Sequence, residues 1–221
     1  MAFLSIFDVI GPNMVGPSSS HTAGTAAISL IARKMFGKEI SNVKFILYGS
    51  FAKTYKGHGT DKALLGGSLG FSSDDLRIRD SFNIAKELGI TYSFEESNTE
   101  LEHPNIVDVC MDSKCGAKMV VRGVSIGGGK VKIVSIDNTK VEFFGEYPTL
   151  IIDHLDKKGV MAFISNCLQD ANTNIAFMKV SRDAKGEQAH SIIECDDKID
   201  ENVIKALKQN ENIKNVMLVQ I

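Results

Sequence analysis

The sequence predicts an α+β protein in two parts, 1–147 and 148–221. Three observations carry that expectation. Apolar residues recur at helical spacing over 19–36 and again over 77–89. From ITYSFEE to VEFFG, β-branched and aromatic residues alternate with polar ones. After Tyr147-Pro148 the pattern restarts as strand, helix, strand, strand, helix, strand. A chain of 221 residues exceeds one average domain, and each of two smaller ones still buries a core.

Taken in order, 19–36 places Ala23, Ala27, Leu30, Ile31 and Met35 on one face, with serine capping before it and Gly37 stopping it. The segment GPSSSHT, 16–22, therefore lies at a helix N-terminus. VKFILYGS, 43–50, reads as a buried strand that delivers the chain into a loop at its Gly-Ser end. GHGTD, 57–61, follows that loop, and DKALLGGSLG behind it is expected as a helix with Asp61 as its cap. In RIRDSFNIAKELG, 77–89, Ile78, Phe82, Ala85 and Leu88 predict one surface helix that ends at Gly89. Gly127-Gly128-Gly129 is a hairpin connection between two strands and, lacking Walker spacing, no phosphate loop. In the last part, Asp200 caps a helix whose apolar face is Val203, Ile204 and Leu207, and the βαββαβ order is the ferredoxin-like plan.

Composition narrows the partners. A net charge of -2 leaves no electrostatic footprint for nucleic acid or an anionic membrane. No run of about eighteen uncharged apolar residues exists, and MAFLSIFDVIGP lacks the basic start of a signal peptide, so the expectation is a cytoplasmic chain. Cys110, Cys115, Cys167 and Cys195 are too few and too scattered for a disulfide framework. They are read as buried thiols in strands, and no metal site is expected in this chain.

The chemistry-bearing residues lie in the two short motifs. Ser18, Ser19 and Ser20 are equally read as a cap, which needs one hydroxyl, or as donors to a carboxylate or phosphate at a helix N-terminus. His21, in the first helical turn, is held neutral by the local dipole and so is able to accept a proton. His58 stands between Gly57 and Gly59, where the backbone allows close approach of a ligand, with Thr60 and Asp61 beside it. Alone, GHG is as well a turn with a solvated imidazole. Two small-residue loops that each carry a histidine at an element end point together to a site. His103 reads as exposed loop and His190 as structural, whereas His154, Asp156 and Gly159 in HLDKKGV read as an amino-acid-binding loop or an ordinary strand-to-helix turn.

SIFDVIGPNMVGPSSSHT followed by GSFAKTYKGHGTD resembles the β chain of the iron–sulfur-dependent L-serine dehydratases (L-serine ammonia-lyases), over essentially the whole chain. Residues 1–147 look like their allosteric-substrate-binding-like α+β domain and 148–221 like their ACT domain. The resemblance implies conversion of L-serine to pyruvate and ammonia with a [4Fe-4S] cluster, whose cysteines belong to a partner α chain and not to this one. An iron acts there as Lewis acid on the substrate hydroxyl and a base takes the Cα proton. It further implies that His21 or His58 is that base, and that Ser18, Ser19, Ser20, Thr22, Gly59, Thr60 and Asp61 line the serine pocket with help from Ser5 and Asp8. An effector loop at His154, Asp156 and Gly159 and homodimerisation through this chain complete the implied picture. One departure is visible: where the family often shows a glycine before the lysine of the second loop, this chain has Tyr55. The alternative from another class is a regulatory amino-acid sensor without catalysis.

Overall fold

The computed structural model describes residues 13–137, 139–182 and 184–220. They fall into two compact units, one ending at Phe144 and the other beginning at Gly145. Helices and two separate sheets make the protein α+β.

The first unit opens with a π-helical turn, Ser19–Ala23, that runs into α1, Gly24–Phe36. β1 (Asn42–Leu47), α2 (Gly49–Thr54) and α3 (Thr60–Ser68) follow. A 3-10 turn, Leu76–Asp80, precedes α4 (Ser81–Glu87) and β2 (Thr91–Glu96). Four strands complete it, β3 (Ile106–Asp112), β4 (Lys118–Gly127), β5 (Lys130–Ile136) and β6 (Thr139–Phe143). The sheet order is β2-β1-β3-β4-β5-β6, with β1 and β2 parallel and the remaining pairs antiparallel.

Alternation in the strands decides which face is core. Val43, Phe45 and Leu47 of β1 and Val107 and Val109 of β3 are completely buried. α1 lies close over β4 because a glycine on each element, Gly24 on α1 and Gly123 on β4, leaves room for the other's side chains. A Cβ at Gly123 would strike the Ile28 side chain, and one at Gly24 would strike Ser125. α3 packs on α1 just as closely, since a Cβ on Gly67 would meet the Ala26 carbonyl and come within 2.8 Å of Ser29 Cβ. The backs of the strands carry polar cargo. Arg122 donates Nε and Nη2 to the two oxygens of buried Asp108 at 2.6 and 2.7 Å, and the Tyr48 hydroxyl donates to the same carboxylate at 2.9 Å. That satisfies a charge that burial would otherwise penalise.

The second unit runs β7 (Thr149–Leu155), α5 (Val160–Asp170), β8 (Ile175–Arg182), β9 (Gln188–Cys195), α6 (Glu201–Leu207) and β10 (Ile213–Val219). Its antiparallel sheet has the order β10-β7-β9-β8. Leu150, Ile152 and Ile193 of the sheet meet Ile164 and Leu168 of α5 and Val203 and Leu207 of α6 in one core. The Asp200 cap forms as expected, its side chain accepting from the Asn202 N–H at 2.7 Å.

Four local expectations are corrected. The loop after β1 is a helix, α2, too short to show a periodicity. The cap of α3 is Gly59 in the left-handed region (φ 67°), with Asp61 inside the first turn. The stretch 77–89 is broken at Asp80, whose backbone leaves helical geometry at φ -111° and ψ 15°, into a 3-10 turn and α4. Only Cys110 and Cys195 sit in strands; Cys115 is exposed in the β3–β4 turn and Cys167 is on α5. Among the described residues, no helix is long and apolar enough to cross a membrane.

Candidate active site

Local chemistry folds GPSSSHT into a fixed start for α1. Gly16 has φ 135°, and a Cβ there would collide with Thr22. Ser18 is the N-cap, its hydroxyl accepting from the His21 N–H at 3.1 Å. The Thr25 hydroxyl donates to the carbonyls of His21 at 2.7 Å and Thr22 at 3.1 Å, which supports the widened first turn. The N–H groups of Ser19 and Ser20 head this helix, where no preceding turn supplies carbonyls.

The second motif arrives through the turn after β1. Gly49 adopts φ 54° against Pro104, whose carbonyl a Cβ would approach to 2.6 Å, and the Ser50 N–H donates to that carbonyl at 2.7 Å. This places Ser50 in the first turn of α2, with its hydroxyl 3.1 Å from His21 Nε2. After α2 the Thr54 carbonyl accepts from the N–H groups of Gly57 and His58. Gly59 then reverses the chain into α3.

The two histidines meet. Their ring centroids are 5.0 Å apart, with planes inclined by 38°. His21 also stands edge-on to the buried Phe51 ring at 5.0 Å. Its Nδ1 lies 3.0 Å from the Ser20 hydroxyl, which is in turn 3.4 Å from that of Ser18, so Ser18, Ser20, His21 and Ser50 form one chain of hydroxyl and imidazole contacts. Burial, and then the neighbouring His58 charge, lower the His21 pKa below the usual histidine value. His21 is therefore neutral at pH 7, one nitrogen donating to a serine and the other accepting from one.

His58 is poised differently. Its Nδ1 lies 3.3 Å from the Thr54 carbonyl. A carbonyl only accepts, so Nδ1 carries the proton and Nε2 presents its lone pair. Nε2 has no hydrogen-bond partner among the described residues, and the residue lines an open cleft of about 340 Å³ with Ala52 to Gly57 and Glu96. The arrangement offers a proton acceptor at His58, a neutral imidazole behind it, and hydroxyl and N–H donors at the head of α1.

The remaining anticipated residues take varied places. Thr22 is buried and gives its hydroxyl to the His58 carbonyl at 3.0 Å, locking the two motifs together. The Ser19 hydroxyl has no partner among the described residues. Thr60 is completely buried, with a hydroxyl that meets no partner among the described residues. Asp61 accepts from the Lys62 N–H at 2.8 Å, and burial raises its carboxyl pKa. Ser5 and Asp8 lie outside the described residues. In the second unit, His154 is buried between the Leu155 carbonyl at 2.9 Å and the Ser191 hydroxyl at 2.8 Å. Asp156 turns instead to Arg182 at 2.8 Å and to the Gly186 N–H at 3.0 Å, and Gly159 caps α5 at φ 87° with open space where a Cβ would stand. His190 is buried and paired with Asp153 at 2.7 Å. Ser50 and Thr54 are the site residues that the sequence reading missed, although a Gly-Ser at the end of a buried strand marks the place.

A sequence model described as serine dehydratase beta chain matches residues 5–135. The chain belongs to the serine dehydratase β-chain family. This β-chain family member is 40% identical, over 98% of its own length and 98% of the other's, to the protein named "Probable L-serine dehydratase, beta chain" from Bacillus subtilis (strain 168). It is 39% identical, over 100% of both chains, to "L-serine dehydratase, beta chain" from Peptoniphilus asaccharolyticus. It is also 27% identical to "D-3-phosphoglycerate dehydrogenase" from Bacillus subtilis (strain 168), over 87% of this chain and 36% of that one. The described residues of this family member do not fit the ligand set of an iron–sulfur cluster. No group of three or more His, Cys, Asp or Glu gathers among them. Cys110 lies in β3, Cys115 in the β3–β4 turn, Cys167 on α5 and Cys195 in β9.

Proposed function

We infer that the chain is the β chain of a two-chain, iron–sulfur-dependent L-serine dehydratase, forming one wall of an active site that a cluster-bearing α chain completes. The observation that carries the reading is the 5.0 Å approach of the His21 and His58 rings beside the serine-headed helix.

In this reading His58 Nε2 removes the Cα proton of L-serine. Loss of the β-hydroxyl as water leaves an enamine, which tautomerises to the imine and takes up water to give pyruvate and ammonia. Once His58 is protonated, a second charge beside it would be costly, and the lowered pKa of His21 keeps that ring neutral. The substrate carboxylate is held at the head of α1 by the N–H groups and hydroxyls of Ser19 and Ser20, where the helix dipole favours an anion. Thr22 acts by holding the His58 backbone. Gly59, Thr60 and Asp61 shape the bend and the start of α3.

The first unit corresponds to the allosteric-substrate-binding-like domain and the second to an ACT domain that pairs with a second copy and takes an amino-acid effector near His154, Asp156 and Gly159. The complex works in the reducing cytoplasm, where all four cysteines stay thiols. A sensor without catalysis is the less favoured reading, because a sensor needs donors and no proton acceptor, and the relatives at 39–40% identity are dehydratase chains by name.

Joint substitution Ser19→Ala and Ser20→Ala tests the pocket. Hydrogen bonds to a charged group each contribute about 1.5–3 kcal/mol, so loss of both hydroxyls is expected to raise KM for L-serine in the α/β complex by roughly a hundredfold or more. The melting temperature should change little, since Ser18 keeps the cap. An unchanged KM would leave these serines as helix-capping residues only.

A further inference from the structure

The bend that carries His58 is held from two sides. From the α1 side comes the Thr22 hydroxyl bond to the His58 carbonyl, at 3.0 Å. From the other, the Tyr55 ring stacks on Phe94 of β2, with centroids 5.8 Å apart and planes within 25°. Phe94 is itself a fixed post. It stacks on completely buried Phe45 at 5.0 Å and 18°, and Phe82 and Tyr92 meet it edge-on at 6.5 and 6.1 Å.

Tyr55 also spans the bend through its main chain. Its N–H donates to the Phe51 carbonyl at 3.1 Å and its carbonyl accepts from the Thr60 N–H at 3.0 Å, so it closes α2 and starts α3. Between those anchors the backbone is loosely packed. A Cβ at Gly59 would meet nothing within 4 Å and one at Gly57 only the Thr54 carbonyl at 3.8 Å. A segment with so few packed contacts opens easily unless something outside it ties it down. Tyr55 lines the same cleft as His58, and Lys56 Nζ lies 5.4 Å from its ring centroid.

We propose that Tyr55 is a positioning residue for His58, its ring tying the Gly-His-Gly bend to Phe94 so that the imidazole keeps its alignment with His21 and the cleft. The proposal rests on the reading of His58 as proton acceptor. The hydroxyl of Tyr55 is not part of it; the ring is.

Imidazole NMR spectra of the whole 221-residue chain, with ¹⁵N-labelled histidine and His58 assigned by its loss in His58→Gln, supply the test. In Tyr55→Phe the His58 signals are expected to overlay those of the wild type. In Tyr55→Ala they shift and broaden, while those of His154 and His190 in the other unit stay in place. In the α/β complex, kcat of Tyr55→Ala falls roughly 10- to 100-fold with a smaller change in KM, and Tyr55→Phe retains it, as misplacement of a reacting group by about 1 Å would produce. Should Tyr55→Ala lose the His154 and His190 signals through misfolding, Tyr55→Leu repeats the comparison with volume kept and stacking removed. His58 signals unchanged in the alanine or leucine variant would overturn the proposal. A wild-type complex without turnover would instead count against the dehydratase reading, and the spectra would still decide the positioning.

Discussion

His58→Ala in the α/β complex is expected to lower kcat for pyruvate formation by roughly 10²- to 10⁴-fold, the usual contribution of a general base. The reasoning starts from the tautomer. The Thr54 carbonyl holds the Nδ1 proton, so the lone pair on Nε2 is the free basic site in the cleft. His21 is less suited to replace it, because both of its nitrogens already face serine hydroxyls. Removing the His58 side chain costs the fold little, since the bend is held by the main-chain bonds to Thr54 and Tyr55 and by the Thr22 hydroxyl on a carbonyl that alanine retains. Steady-state kinetics with a thermal melt of the same sample check this. Turnover within a few-fold of wild type would remove His58 from the chemistry.

Gly67→Ala is expected to have the largest effect on stability. Alanine would ordinarily favour a helix over glycine by about 0.5–1 kcal/mol. Here the new Cβ meets main-chain atoms of α1, the Ala26 carbonyl and, at 3.0 Å, the Leu30 nitrogen, as well as Ser29 Cβ at 2.8 Å. Main chain cannot turn aside as a side chain does, so α1 and α3 must separate, at a cost of roughly 1–3 kcal/mol. Activity should fall with stability, because α1 begins at the His21 motif and α3 at the His58 motif. Gly66→Ala is the control. Its Cβ would meet the Ile78 side chain at 2.8 Å, which is able to give, so the loss should be smaller. Denaturant melts of the three proteins decide the matter, and a Gly67→Ala variant as stable as wild type would show that the helices are not as tightly opposed as described.

What the sequence made legible follows from the range of the forces involved. Strands such as β1 are readable because VKFILYGS is a short apolar run that ends in Gly-Ser, and the glycine triplet marks the β4–β5 turn. α2 was not, since six residues hold less than two turns and show no amphipathic period. The break at Asp80 escaped because Ile78 and Phe82 keep helical spacing on either side of it. Cys167 and Cys115 lie outside strands, against expectation, because a thiol carries no preference strong enough to separate strand from helix or turn. Within the site, each motif could be singled out locally, but their meeting could not. His21 and His58 are brought together by β1 pairing in the sheet, by Gly49 turning against Pro104, and by Gly67 allowing α3 to lie on α1. Those are long-range contacts with no local signature, and Ser50 and Tyr55 enter the site by the same route.

The most direct measurement mixes this chain with its α partner under anaerobic conditions and follows pyruvate released from L-serine. Shared construction of the pocket predicts negligible formation by either polypeptide alone and robust formation on mixing, abolished when the added β component carries His58→Ala. Equal rates from the α chain by itself, or an inert mixture in which L-serine still binds, would contradict it.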